Sequence, residues 1–211
     1  MRYAVYVSGS GNRVKRALEL NEELCAKVKV IVSDNPGNLI LKDFFTERNI
    51  KYFLIDYSKI DAKDKNKYLS DKMLDIFIEN EIDYCFSFGK HLLKGELLEK
   101  YAYHIINFHP SLLPQFSGFK AIDQAIENNS RYLGNTVHFI DESIDAGPII
   151  LQNVTLADNF FEKGYDAILD EQIVLWRKLD ELLSKEAIHI IDGRVKIDGA
   201  DYQISNIYPK V

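Results

Sequence analysis

A chain of 211 residues, 46% hydrophobic and 27% charged, is long enough for one ordinary domain. It can bury roughly 70% of its unfolded surface without metals or disulfides. The net charge of −6 argues against a general nucleic-acid binder, and no apolar run reaches the ~18 residues of a membrane span. Cys25 and Cys85 stand far apart in apolar settings, which suits neither a disulfide scaffold nor a zinc site, so no metal is expected. Met1-Arg2-Tyr3 runs straight into a strand-like segment, so the expectation is a cytoplasmic chain without a signal peptide.

Residues 2–7 read as a buried strand stopped by Ser8-Gly9-Ser10-Gly11. Over 12–27 the apolar residues Val14, Ala17, Leu18, Leu20 and Leu24 recur at helical spacing. A second strand covers 28–32, Phe44, Phe45 and Ile50 mark a helix and its exit, and 51–55 forms a third strand. The mixed-charge stretch 57–67 reads as a surface loop. A helix with Tyr68, Leu69, Met73, Leu74, Ile76 and Phe77 follows, then a fourth strand at 84–88. This alternation predicts an α/β fold, Rossmann-like, with a mostly parallel twisted sheet and helices on both faces.

After a strand at 104–108, a Pro-rich loop over 110–118 leads to a helix at about 120–128. Strands at 136–140 and 148–154 are joined by an acidic loop, and a long helix is expected over about 162–183. The segment 188–197 reads as a hairpin turning at Asp192-Gly193. No repeat, low-complexity tract or Gly/Ser linker interrupts the chain, so 1–211 is read as a single domain of two lobes, 1–103 and 104–211.

Two regions carry candidate chemistry. Ser8-Gly9-Ser10-Gly11-Asn12 ends a strand and opens a helix, where free backbone N–H groups suit an anion. A plain turn, a mononucleotide-type phosphate and a dinucleotide are all compatible with it. The dinucleotide fingerprint wants a third glycine where Val14 stands, although Asp34 falls near the place of its ribose acid. Arg13 is either the side chain that reaches a phosphate or an exposed cation at a helix start. In the second region Asn107 and His109 stand two apart, so in a strand their side chains share one face. An amide donor beside an imidazole is what acyl transfer needs at a developing oxyanion. Asp145, in the acidic loop before Ala146-Gly147-Pro148, could orient His109 or relay a proton. His138 reads as a satisfied core histidine.

Asn107-Phe108-His109-Pro110-Ser111-Leu112-Leu113-Pro114, Gly118, Val137-His138-Phe139 and Asp145-Ala146-Gly147-Pro148-Ile149-Ile150 with Gln152 resemble the folate-dependent formyltransferases. The nearest branch is the phosphoribosylglycinamide formyltransferases of purine biosynthesis. The resemblance is specific over 105–152 and looser over 1–104. It implies the formyltransferase fold, with acceptor and phosphate binding in 1–103 and catalysis and folate binding in 104–211. It further implies Asn107, His109 and Asp145 as catalytic residues and 10-formyltetrahydrofolate as co-substrate. His91, Leu92 and Leu93, with Ile140, Asp141 and Ile144 from the loop 140–145, correspond to the pterin pocket. Gly9, Ser10, Gly11, Asn12, Arg13, Lys120 and Glu171 correspond to the acceptor side. Leu113–Pro114 occupies a position where the family has a cis peptide.

The departures fall on the acceptor side. The family loop reads Gly-x-Gly-Ser-Asn against Gly9-Ser10-Gly11-Asn12-Arg13, and Phe119-Lys120-Ala121 replaces Leu-His-Thr. A family arginine has Asn66 and Lys67 as its nearest counterparts. The resemblance implies a small phosphorylated amine, glycinamide ribonucleotide first, as partner to the folate. A nucleotide-linked amino sugar, or a non-catalytic folate or nucleotide binder, is the alternative. Only about 28 residues follow the long helix, so no added RNA-binding or regulatory domain is expected, and neither nucleic acid nor membrane is a partner. A homodimer through the sheet edge or the Tyr-rich N-terminal half is compatible with the sequence.

Overall fold

The computed structural model describes residues 1–202. Its main sheet is built from β1 (Tyr3–Val7), β2 (Val28–Ser33), β3 (Lys51–Leu54), β4 (Tyr84–Phe88), β5 (Ile105–His109), β6 (Tyr132–Phe139) and β7 (Ile149–Leu156). The strand order is β3-β2-β1-β4-β5-β6-β7. The strands from β3 to β5 run parallel, whereas β6 pairs antiparallel with both β5 and β7. One sheet therefore runs through both 1–103 and 104–211. Its order reverses between β1 and β4, and the C-terminal strand ends beside such a reversal are where open α/β sheets bind ligands.

Period-2 alternation divides the core into two layers. Tyr3, Val5 and Val7 of β1 face one layer, against Val14, Ala17 and Leu18 of helix α1 (Asn12–Glu19). Trp176, Leu179 and Leu183 of a C-terminal helix complete that layer. Ala4 and Tyr6 face the other layer, with Leu69, Met73, Leu74 and Phe77. Each such large side chain, fully buried, contributes about 1.5–3 kcal/mol of apolar burial.

Several expected elements differ in extent. The segment 12–27 is two helices, α1 and α2 (Glu22–Lys27), because the Asn21 side chain accepts from Leu24 N at 3.0 Å and starts a new helix. Short α3 (Lys42–Thr46) follows a 3-10 turn at Pro36–Leu41. The expected loop 57–67 ends early, since Asp64 caps α4 (Lys65–Glu79) by accepting from Lys67 N. A short α5 (Glu96–Lys100) had no counterpart in the sequence reading, and α6 covers Ala121–Glu127. The helix expected over 162–183 is broken into α7 (Ala157–Lys163), α8 (Asp166–Leu169) and α9 (Glu171–Ser184). The first break is Gly164, at φ 71° and ψ −158°, a conformation essentially confined to glycine, whereas Asp170 between α8 and α9 keeps helical angles. The hairpin appears as β8 (Ile188–Ile191) and β9 (Arg194–Ile197), with Asp192 and Gly193 both at positive φ. No helix among the described residues is long and apolar enough to cross a membrane.

Candidate active site

The site forms at the C-terminal end of β5. Antiparallel register sets Asn107 opposite His138 and His109 opposite Thr136. A register shift in the β6–β7 pairing between Val137 and His138 accompanies that placement. Asn107 Nδ2 lies 3.2 Å from His138 Nε2, and His138 Nδ1 lies 3.0 Å from the Phe139 carbonyl. A carbonyl only accepts, so His138 carries its proton on Nδ1 and takes an N–H from Asn107 on Nε2. Burial pushes the His138 pKa below the ordinary histidine value, against the smaller pull of the Phe139 carbonyl and the Asp145 carboxylate. His138 is thus the satisfied core histidine expected, with both ring nitrogens partnered. It is a neutral acceptor that orients Asn107.

The acidic loop folds back over this pair. Gly147 makes the return close: a Cβ there would lie 2.0 Å from the Phe139 carbonyl oxygen. Asp145, at φ 51°, has Oδ2 3.4 Å from His109 Nδ1 and Oδ1 3.7 Å from His138 Nε2. Its Oδ2 also accepts from Gly118 N at 2.8 Å. The other ring nitrogen of His109, Nε2, is 3.0 Å from the Phe116 carbonyl, and the ring is only 5% exposed. Both nitrogens of His109 thus face oxygens that accept.

The Pro-rich loop is tied to the same strands. Thr136 Oγ1 donates to the Ser111 carbonyl and accepts from Leu113 N and from Gln152 Nε2, at 2.7, 3.0 and 2.8 Å. Leu113–Pro114 is cis. Thr136 went unnoticed in the sequence, although it shares a face with His138 two residues on.

The glycine loop lies at the end of β1. Gly11 is at φ 71°, and Asn38 Nδ2 donates to the Gly9 carbonyl at 2.7 Å. Gly9, Ser10 and Asn12 are exposed, and Lys120, at φ 56°, is an exposed residue at the entry to α6. Arg13 donates to Gln172 Oε1, and Glu171 accepts from Asn153 Nδ2. Asp34 is buried and accepts from both the Tyr6 and the Ser8 hydroxyl through Oδ2, so it is not open to a ribose. This argues against a dinucleotide at the loop.

The residues that the resemblance assigns to the folate lie in differing surroundings. Leu92 and Ile144 are exposed, and Asp141 accepts from Ser143 N within its own loop. Leu93 is only 6% exposed, in the layer against which Ile140 also packs. The His91 ring stacks on Tyr57 with centroids 3.5 Å apart, and its Nε2 is 3.6 Å from Asp34 Oδ2. Among the described residues no group of three His, Cys, Asp or Glu side chains is arranged to hold a metal ion.

Residues 1–165 match the formyl transferase family model. The chain is 31% identical to the phosphoribosylglycinamide formyltransferase of Bacillus subtilis, over 74% of this chain and 80% of that protein. It is 32% identical to the trifunctional purine biosynthetic protein adenosine-3 of Homo sapiens, over 72% of this chain, and it spans only 15% of that longer protein. The crystal structure of glycinamide ribonucleotide transformylase 1 from Symbiobacterium toebii superposes with a TM-score of 0.79 at 26% identity, over 93% of each chain. With that sheet, that cluster at the end of β5 and these matches, the chain belongs to the formyl transferase family.

Proposed function

We propose that the protein transfers a formyl group from 10-formyltetrahydrofolate to the primary amine of glycinamide ribonucleotide. The observation that carries this reading is the convergence of Asn107, His109 and Asp145 with a neutral His138 behind Asn107. The folate supplies an activated formyl carbon, and the acceptor amine attacks it. Asn107 uses one N–H on His138 and keeps the other for the oxygen that gains negative charge. His109, as an imidazolium, adds positive charge beside that oxygen. A preorganised donor of this kind contributes about 3 kcal/mol in other acyl-transfer sites. Asp145 holds His109 and accepts the proton that the attacking amine must lose. The new bond is amine nitrogen to formyl carbon, the bond broken is formyl carbon to folate nitrogen, and the proton ends on that nitrogen. The acceptor's phosphate would lie on the N–H groups of the Gly9–Ser10–Gly11 loop, beside Arg13, with Lys120 and Glu171 toward the remainder.

The test is a change in folate absorbance on mixing 10-formyltetrahydrofolate, the protein and a candidate amine. Turnover with glycinamide ribonucleotide is expected. Turnover with a nucleotide-linked amino sugar alone would reassign the acceptor. Folate release without any amine would make the activity hydrolytic, and tight folate binding with no turnover would make the protein a binder.

A further inference from the structure

Arg13 stands in the first turn of α1, directly after the glycine loop, and α9 begins across from it. Arg16, about one turn further along, pairs with Asp170 at 2.6 Å. Arg13 does not share that carboxylate. Its Nη1 donates at 2.6 Å to Gln172 Oε1, a neutral amide, and among the described residues no carboxylate oxygen lies within 4.0 Å of its guanidinium. The amide belongs to a side chain only 1% exposed, and its other end, Nε2, donates at 3.3 Å to the carbonyl of Phe108, between Asn107 and His109. One buried side chain thus joins the glycine loop to the strand that carries the catalytic pair.

The choice of an amide at 172 has an electrostatic consequence. A part-buried cation without a carboxylate partner keeps its charge for an incoming anion, and a guanidinium offers five N–H donors of which Gln172 occupies one. A glutamate in the same place would form a close ion pair and cancel that charge. Burial already works against the Arg13 charge, opposed by the more distant carboxylates of Asp170 and Asp166.

We infer that Gln172 is a positioning residue for acceptor recognition: it holds the Arg13 guanidinium beside the glycine loop, in register with β5, without neutralising it, so that Arg13 binds the acceptor's phosphate. This rests on the acceptor side assigned under Proposed function. It adds a residue that acts only through Arg13.

The test uses the full chain, with inorganic phosphate as an activity-independent probe and formyl transfer as the second readout. Phosphate raises the melting temperature of the unaltered protein, because a ligand bound only to the folded state stabilises it. Gln172→Glu is expected to lose that shift while folding normally, and to raise the KM for the amine by about tenfold or more with kcat within about threefold. Gln172→Met, which removes the hydrogen bond without adding charge, is expected to fall between the two. Arg13→Gln should lose the phosphate shift as well, and Gln172→Glu added to it should cost nothing further. A full phosphate shift and unchanged KM in Gln172→Glu would overturn the inference. So would a phosphate shift that survives Arg13→Gln, or one absent from the unaltered protein, and the Arg13 variant decides the matter if Gln172→Glu fails to fold. Formyl transfer that fails with every amine while the phosphate pattern holds would instead remove the proposed acceptor and leave the anion site standing.

Discussion

Phe139 offers its carbonyl to His138, and that single acceptor determines which way the Asn107 amide points. With the proton held on Nδ1, Nε2 can only receive, so Asn107 must present its NH2 rather than its carbonyl. Asn107→Ala and His109→Ala should each lower turnover by about 10²-fold or more while leaving folate affinity largely intact, as read by steady-state kinetics beside folate titration. Normal turnover in either variant would remove that residue from the reaction. His138 has a second signature, in stability. Burial lowers its folded-state pKa, so near the ordinary value of 6.5 the unfolded chain binds more protons than the folded one. Stability therefore rises with pH through that window and is lost as pH falls from about 6.5 through the lower folded value. His91, lowered mainly by burial as well, contributes with the same sign. Urea midpoints measured across this range should fall toward acid, and His138→Gln should flatten the slope. A slope unchanged by that substitution would mean His138 is not held neutral. The i, i+2 spacing placed Asn107 and His109 on one face, as the strand does, whereas the Asn107 partner of His138 was not legible. A strand histidine at the end of an apolar run looks the same whether its partner is a backbone carbonyl or an asparagine amide. Gln172 was still less accessible, because nothing local connects it with a residue 159 positions earlier.

Among the elements, breaks were harder to read than periodicities. Val14, Ala17, Leu18 and Leu24 keep helical spacing across Leu20 and Asn21, so the pattern runs through a point where the backbone turns. The cue was Asn21, a capping residue with Leu24 three positions on. Gly164 was the corresponding signal inside the segment expected as one long helix. The loop between β6 and β7 is the element on which the site depends most. It carries Asp145 and can close only because residue 147 has no side chain: a Cβ would meet a backbone oxygen rather than a flexible side chain. That oxygen also fixes the His138 tautomer. Gly147→Ala should therefore cost about 1–3 kcal/mol of stability, the usual range for an added methyl with no space, and should reduce kcat more than folate affinity. Chemical denaturation and single-turnover kinetics check the two halves of that expectation, and an alanine variant with unaltered kcat would show that Asp145 does not need this loop geometry.

At the scale of the whole molecule, the alternation of strands and helices was enough to foresee a mostly parallel sheet with both faces covered. The reversal of order between β1 and β4 and the antiparallel turn to β6 depend on pairings far apart in sequence. The two lobes expected from the sequence share one continuous sheet. β4 pairs with β5 from Cys85–Ile105 to Ser87–Asn107, and Trp176 from α9 packs on Phe86 and Phe88 of one half and Phe108 of the other. Elements that share a sheet and an aromatic cluster lose those contacts together. Thermal or urea unfolding should accordingly be a single cooperative transition. Trp176 is the only tryptophan of the chain and is 1% exposed, so its fluorescence reports on the junction without any label. Far-UV circular dichroism reports on helices and strands of both halves. The two curves should coincide in midpoint and slope. A Trp176 transition that precedes the loss of secondary structure would instead mean that residues 1–103 and 104–211 come apart before they unfold. Strand β5 and the glycine loop would then be joined less firmly than the Gln172 bridge and the β4–β5 pairing require.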